Sequence, residues 1–165
     1  MQILFLSFFI LLISAAITLV LIRYSNWLAS IVGASGAIIG SFIGLIYSIG
    51  ALFSDHPLTV QFNWNVPYGS LYFKVDHLSA IFLILIFALS VLCAIYGLGY
   101  WKESSQRGWF FFNLLVVSMA TVVSSWNTIL FLTAWELMAL SSYFLVVHED
   151  KKEQVRKAGL LYLLA

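Results

Sequence analysis

Charge is what this sequence has least of. Only 9% of its 165 residues are Asp, Glu, Lys or Arg, where a soluble domain carries about 25%. That leaves too little polar sequence to coat a large soluble core, so a water-soluble globular fold is excluded. Cysteine occurs once, at Cys93 inside an apolar run, which rules out an internal disulfide, a thiolate metal centre and an iron–sulfur cluster held by this chain. No glycine loop follows a strand and no Walker lysine is present, so nothing here is built to bind a nucleotide. A net charge of +1 gives no footing for nucleic acid. The first 22 residues have neither a basic front end nor a small-residue cleavage site, and read as a retained helix rather than a secretory signal.

What is present is apolar. Hydrophobic residues make up 62% of the chain, and the mean hydropathy is +1.01. Several uncharged runs exceed the roughly 18 residues that mark a membrane-spanning helix, and they are far too long for the strands of about ten residues that build outer-membrane barrels. The pattern predicts an all-α polytopic membrane protein with five transmembrane helices and the start of a sixth. The helices are expected at about 3–22, 30–53, 77–100, 109–124 and 127–148, with a sixth from 158 to 165 and onward. The run from Trp109 to Val147 is 39 residues long. As one helix it would reach about 58 Å, nearly twice the hydrocarbon thickness. Asn127, a good capping residue, divides it.

The external loop 54–76 carries its own pattern. In "LTVQFNW", Val60, Phe62 and Trp64 alternate with Thr59, Gln61 and Asn63. "LYFKV" repeats the alternation after the turn-rich "NVPYGS", which predicts a short β-hairpin between helices 2 and 3 on the membrane surface. A hairpin alone is marginal, so its apolar side should pack on the helix ends. Asp76 is placed to cap helix 3. Gly36, Gly40, Gly44 and Ser48 recur every four residues and form a small-residue stripe on helix 2, suited to close helix packing. Trp27, Tyr100, Trp101 and Trp109 lie near helix ends, as an interfacial aromatic belt requires.

Basic residues orient the chain. With alternating spans, Arg23, Lys102, Arg107, Lys151, Lys152, Arg156 and Lys157 share one side, and only Lys74 lies on the other. The positive-inside rule then puts the amino terminus outside and the loop between helices 5 and 6 in the cytoplasm.

Glu136 is the residue that this composition makes conspicuous. It is the only charged residue between Arg107 and Glu149. It stands about nine residues into helix 5, roughly 14 Å from the outer end, and a carboxylate there is too short to reach either interface. An acidic side chain at mid-helix costs about 2.5–3.5 kcal/mol on insertion scales, so it must face other helices, water or a cation, or else be protonated. Burial pushes such a carboxyl toward its neutral form and a nearby lysine pulls it back, so the pair can exchange a proton under small changes in surroundings. A protonated glutamate that merely hydrogen-bonds a neighbouring helix is the plainer alternative. A metal site is not indicated, because no His or Cys lies within two turns of it.

Thr133 and Tyr143, one turn before and two turns after, are candidates to order water beside Glu136, although either hydroxyl can equally bond its own backbone. Asn113 is a candidate lining residue for a polar route, together with Ser118, Thr121 and Ser141. His148, at the inner end of helix 5, is placed to pass protons between cytoplasm and interior. His56 and His77 belong to the outer interface.

"FKVDHLSAIF", "IYGLGYW", "FLTAWELMALSSYFLV" and "RKAGLLYLLA" resemble the amino-terminal part of the antiporter-like subunits. That family comprises the large membrane subunits of NADH:quinone oxidoreductase and of multisubunit sodium/proton antiporters, and the likeness is greatest to the membrane subunit of group 4 hydrogenases, of the hydrogenase-4 and formate hydrogenlyase type. In that family the glutamate of the fifth helix pairs with a lysine on the seventh, and by this resemblance Glu136 is that glutamate. The resemblance implies a fragment, or a split gene whose second chain supplies the lysine. It implies a non-catalytic subunit of a prokaryotic inner-membrane complex that moves protons, coupled to electron transfer in peripheral partner subunits. Iron–sulfur and nickel–iron centres are then expected in those partners and no cofactor in this chain. The alternatives are a sodium/proton antiporter subunit without a redox partner, and a structural anchor without transport.

Overall fold

The computed structural model describes residues 1–66, 69–100, 107–147 and 153–164; the side chains of 62–70, 100, 156, 160, 163 and 164 lie outside that description. Trp101, Lys102, His148, Lys151 and Lys152 therefore fall outside the described residues. The elements follow one another as α1 (Gln2–Leu21), α2 (Asn26–Leu52), β1 (Leu58–Val66), β2 (Gly69–Val75), α3 (His77–Tyr100), α4 (Arg107–Ser124), α5 (Thr128–Val146) and α6 (Glu153–Leu164). The first five helices are each long and apolar enough to cross a membrane, and the two strands pair antiparallel between α2 and α3. The protein is a polytopic helical membrane protein with a short antiparallel hairpin between its second and third spans.

Three of the spans begin where a polar side chain satisfies a free amide of the first turn. Ser25 accepts from Leu28 N at 3.5 Å before α2. Asp76 Oδ1 accepts from Ser79 N at 2.8 Å before α3, and Asn127 Oδ1 accepts from Ile129 N at 2.8 Å before α5. The Ser79 amide, and after it the Ser79 hydroxyl, hold the Asp76 carboxyl below the usual carboxylate range against a weaker opposing effect of burial, and Lys74 adds a smaller pull in the same direction.

The core forms where α1, α2, α3 and α4 meet under the hairpin. Leu4, Phe8, Leu11, Leu83, Phe87 and Val116 are buried there with Val75 of β2. The hairpin's inward side chains thus continue the helical core, and Phe73 meets Phe5 edge-on at 5.2 Å. A smaller cluster of Ala34, Ala37, Ala94 and Trp109 lies farther along the bundle.

The glycines of α2 serve two neighbours. A Cβ on Gly36 would collide with Ser14 and one on Gly40 would stand 2.7 Å from Leu11 Cγ, so this part of the stripe lets α1 approach. A Cβ on Gly44 would stand 2.5 Å from the ring of Phe87, on α3. Ser48 is buried and donates to Gly44 O at 2.7 Å. Trp109 does not sit in an interfacial belt: it is 1% exposed, wedged against Gly33 and Gly97, with Nε1 donating to Ser30 Oγ at 2.9 Å. Its place near a helix end resembled a belt position, but α2 and α3 open a glycine-lined recess that takes the indole instead.

Candidate functional site: the carboxylate of the fifth helix

α5 is the least enclosed of the five spans. It packs along α4 and otherwise touches mainly β2 at one end and α6 at the other. Only Ala134 and Ser141 are buried on it, seven residues apart and so on one seam. Near its carboxyl end Phe144 stacks on Phe111 of α4 with ring centroids 4.6 Å apart.

Glu136 stands on the other side. It is eight residues past Thr128, about 12 Å along the axis and next to the midpoint of the helix. At about 100° per residue it lies roughly 200° around the helix from Ala134, which points it away from α4. Its side chain is exposed on the described chain and sits in an open hollow of about 520 Å³ lined by Leu132, Thr133, Glu136, Leu137 and Leu140. Apart from Thr133 and Glu136 the lining is leucine, and Phe131 and Trp135 are exposed elsewhere on the same helix. Among the described residues no cation stands within ion-pair distance of Glu136; the one ion pair joins Lys157 to Glu153 at 2.9 Å within α6. Nor do three His, Cys, Asp or Glu side chains converge anywhere among them to hold a metal.

The other candidates separate into two groups. Thr133 shares the hollow, but its hydroxyl donates to Ile129 O at 2.8 Å and so is engaged with its own backbone. The Tyr143 ring turns toward Phe144, with centroids 5.3 Å apart, and toward Gly159 of α6. It does not line the hollow. Asn113 is fully buried between α4 and α2: both amide hydrogens are used, one on Gly33 O at 3.1 Å and one on Trp109 O at 3.0 Å. Its Oδ1 has no hydrogen-bond partner. Ser118, Thr121 and Ser141 each donate to a carbonyl of the preceding turn, the common arrangement for a hydroxyl in a spanning helix. The described bundle therefore brings Thr133 to Glu136 and leaves Asn113 and Tyr143 elsewhere.

A feature that the sequence did not single out lies at the amino-terminal end of α5. Lys74 Nζ rests 3.6 Å from the centre of the Trp126 ring, Trp126 N donates to Tyr72 O at 2.9 Å, and Phe73 forms a β-bridge with Ser125. No local motif announces it, because strand and corner are some fifty residues apart in the chain.

Comparison with known proteins gives consistent results. Residues 68–112 match the family model described as "NADH-Ubiquinone oxidoreductase (complex I), chain 5 N-terminus". The chain is 31% identical over 130 residues to Hydrogenase-4 component B of Escherichia coli, covering 76% of this chain and 19% of that relative. It is 36% identical over 91 residues to NADH-quinone oxidoreductase subunit L of Mycobacterium tuberculosis, covering 52% of this chain and 14% of the relative. It is 32% identical over 108 residues to Na(+)/H(+) antiporter subunit A1 of Staphylococcus aureus, covering 64% and 14%. The chain thus spans about a fifth or less of the length of these curated relatives. A subunit of the membrane-bound sulfane sulfur reductase, an archaeal respiratory membrane complex, superposes with a TM-score of 0.85 at 18% identity, over 99% of this chain and 34% of that one. That similarity shows the fold.

Proposed function

Since this chain belongs to the antiporter-like membrane subunits related to hydrogenase-4 and NADH:quinone oxidoreductase, we propose that it is part of a membrane complex that translocates protons, driven by redox chemistry in partner subunits, with Glu136 as the proton-carrying group. One observation carries the reading: a carboxylate at mid-membrane depth, turned away from its own bundle into an apolar hollow. Facing lipid alone, that group would cost about 2.5–3.5 kcal/mol. A cation presented to the open face of α5 by another helix offsets this cost and makes the carboxylate useful.

The cycle then follows from electrostatics. With the cation close, the ionised carboxylate is favoured and the proton leaves. With the cation withdrawn, desolvation favours the neutral acid and a proton is taken up. Redox-driven movement of charge in the partners would move the cation. Thr133, beside Glu136 in the hollow, can accept a hydrogen bond from the protonated acid or from a water while its own hydrogen stays on Ile129 O. His148 stands in sequence at the inner end of α5, where a proton would enter from the cytoplasm. In this cycle the only bond of the chain that forms and breaks is the O–H of the Glu136 carboxyl.

Orientation is part of the proposal. Arg23, Arg107 and Lys157 lie at one end of the bundle and Lys74 at the other, which supports an amino terminus outside and the α5–α6 connection in the cytoplasm of a prokaryotic inner membrane.

The likeness to Na(+)/H(+) antiporter subunit A1 favours a second reading, in which the same carboxylate exchanges protons against sodium without a redox partner. Proton movement by the assembled complex carrying Glu136→Gln tests the shared core. The expected result is loss of pumping with the complex still assembled. Undiminished, fully coupled pumping would leave only an anchoring role. Sodium dependence of the wild-type activity separates the two transport readings.

A further inference from the structure

We infer that the second strand of the external hairpin is a latch that sets the rotation of α5, with Lys74 and Trp126 as positioning residues for Glu136. This rests on the transport reading of Glu136 given above.

The need for a latch comes from how one-sided the hold on α5 is: along its length it packs on α4, with β2 at one end and α6 at the other. Its two buried residues, Ala134 and Ser141, are small. The large aromatic contact with α4, Phe144 on Phe111, lies near the carboxyl end of the helix, so the half that carries Glu136 meets α4 through a shallow seam. A helix held by a shallow seam can roll. A roll of about 20° at a radius of about 5.5 Å carries a side chain about 2 Å sideways. For a carboxylate working against a cation in a low-dielectric setting, such a shift changes the interaction substantially.

Three contacts at the outer end oppose that roll, and all come from β2. The backbone of the α4–α5 corner is tied to the strand twice, by Trp126 N on Tyr72 O at 2.9 Å and by the bridge between Phe73 and Ser125. The Trp126 ring is then covered by Lys74 Nζ at 3.6 Å from its centre. Directly after it, Asn127 caps the first turn of α5 through Ile129 N, so the corner and the helix form one continuous hydrogen-bonded unit. β2 is itself anchored, because Val75 is buried in the helical core and Phe73 is buried edge-on to Phe5 of α1. The rotation of α5 is therefore referred through β2 to α1 and α3, which α5 hardly touches. Lys74 also acts on Asp76, so one side chain serves both the α3 cap and the α5 corner. Trp126 is needed to separate the two roles.

The test uses the assembled complex in membranes, with Lys74→Met, Trp126→Leu and Lys74→Arg, a cation that can still cover an indole. Hydrogen exchange of the amides at 128–132 is expected to speed about two- to tenfold in the Met and Leu variants, the Boltzmann weight of one partly exposed cation–π contact, and to stay slow in the Arg variant. In infrared difference spectra, the carboxyl band identified by its loss in Glu136→Gln is expected to shift in the first two variants and to return in the third. Unchanged exchange in both Lys74→Met and Trp126→Leu overturns the latch. Faster exchange with an unmoved band overturns the positioning role and leaves a purely local clasp. If Glu136→Gln pumps normally, the transport reading fails and the positioning role goes with it, while the exchange data still decide whether the latch exists.

Discussion

Two polar residues show how differently a side chain can be held at the same membrane protein's edge and in its interior. Asp76 works at the hairpin end of the bundle, where it accepts from the Ser79 amide at 2.8 Å and where that bond, ahead of the smaller pull of Lys74, keeps its carboxyl below the usual range. A depressed folded value fixes the sign. The stabilisation is fully present above the ordinary carboxylate range, and is lost as the pH falls through that range and the lowered folded value. An asparagine at this position would keep a capping oxygen that does not titrate, so Asp76→Asn should flatten the acid response of exchange at the first turn of α3. Asp76→Ala should cost about 0.5–2 kcal/mol at neutral pH. An Asp76→Asn variant as acid-sensitive as the wild type at those amides would show that the cap is not the source. Asn113 is the interior case. One amide hydrogen ties α4 to the Gly33 carbonyl of α2 while the other bonds Trp109 O of its own helix. Asn113→Leu removes that tie and leaves the Gly33 carbonyl with one acceptor bond fewer. Thermal unfolding in detergent should report a loss of about 1–3 kcal/mol, whereas a lining residue of an open polar route would lose transport without losing stability.

Elements show where sequence reading reaches and where it stops. Hydropathy marks the part of a helix that lies in lipid, which is why the five spans were legible, and the hairpin was legible from its period-two alternation around a turn-rich segment. It does not mark the helix itself. α2 begins at Asn26 behind the Ser25 cap, ahead of the apolar stretch, and α6 begins at Glu153, where the Lys157–Glu153 pair supports a turn outside the apolar run. Glu136 was legible as a lone carboxylate, and its depth follows from counting residues. Its direction was not legible, because α5 is apolar all round and no polar face tells which side meets a neighbour. The small-residue stripe was legible as a packing device, but not its division between α1 and α3. That division is testable. Gly44→Ala places a Cβ 2.5 Å from Phe87, a ring that is fully buried and has nowhere to go. It should cost about 1–3 kcal/mol, the usual range for overpacking. Gly50→Ala on the same helix meets open space and should be neutral or slightly stabilising. Equal unfolding temperatures for the two variants would mean that α2 and α3 are not in the contact described.

At the scale of the whole molecule, the two ends of the bundle are chemically unlike, and that difference predicts how it sits in the membrane. One end carries the hairpin, the α4–α5 corner and the start of α1, with Lys74 as its basic residue and that charge already covering Trp126. The other end carries Arg23 after α1, Arg107 at the start of α4 and Lys157 in α6. The retention of Lys/Arg on the cytoplasmic side of short connections then predicts which end faces out, independently of any argument about Glu136. Thr59 on β1 and Tyr24 between α1 and α2 are both exposed, so each tolerates a cysteine without loss of packing. In a Cys93→Ser background, which removes the single native thiol, a membrane-impermeant thiol reagent should label Thr59→Cys in right-side-out vesicles and Tyr24→Cys in inverted ones. The reverse pattern would turn the bundle over, put His148 at the outer surface, and deny the proposed proton entry its cytoplasmic side. Labelling of both positions from one side would be more serious, since Thr59 and Tyr24 are separated by a single span, α2, and it would mean that this helix does not cross the membrane.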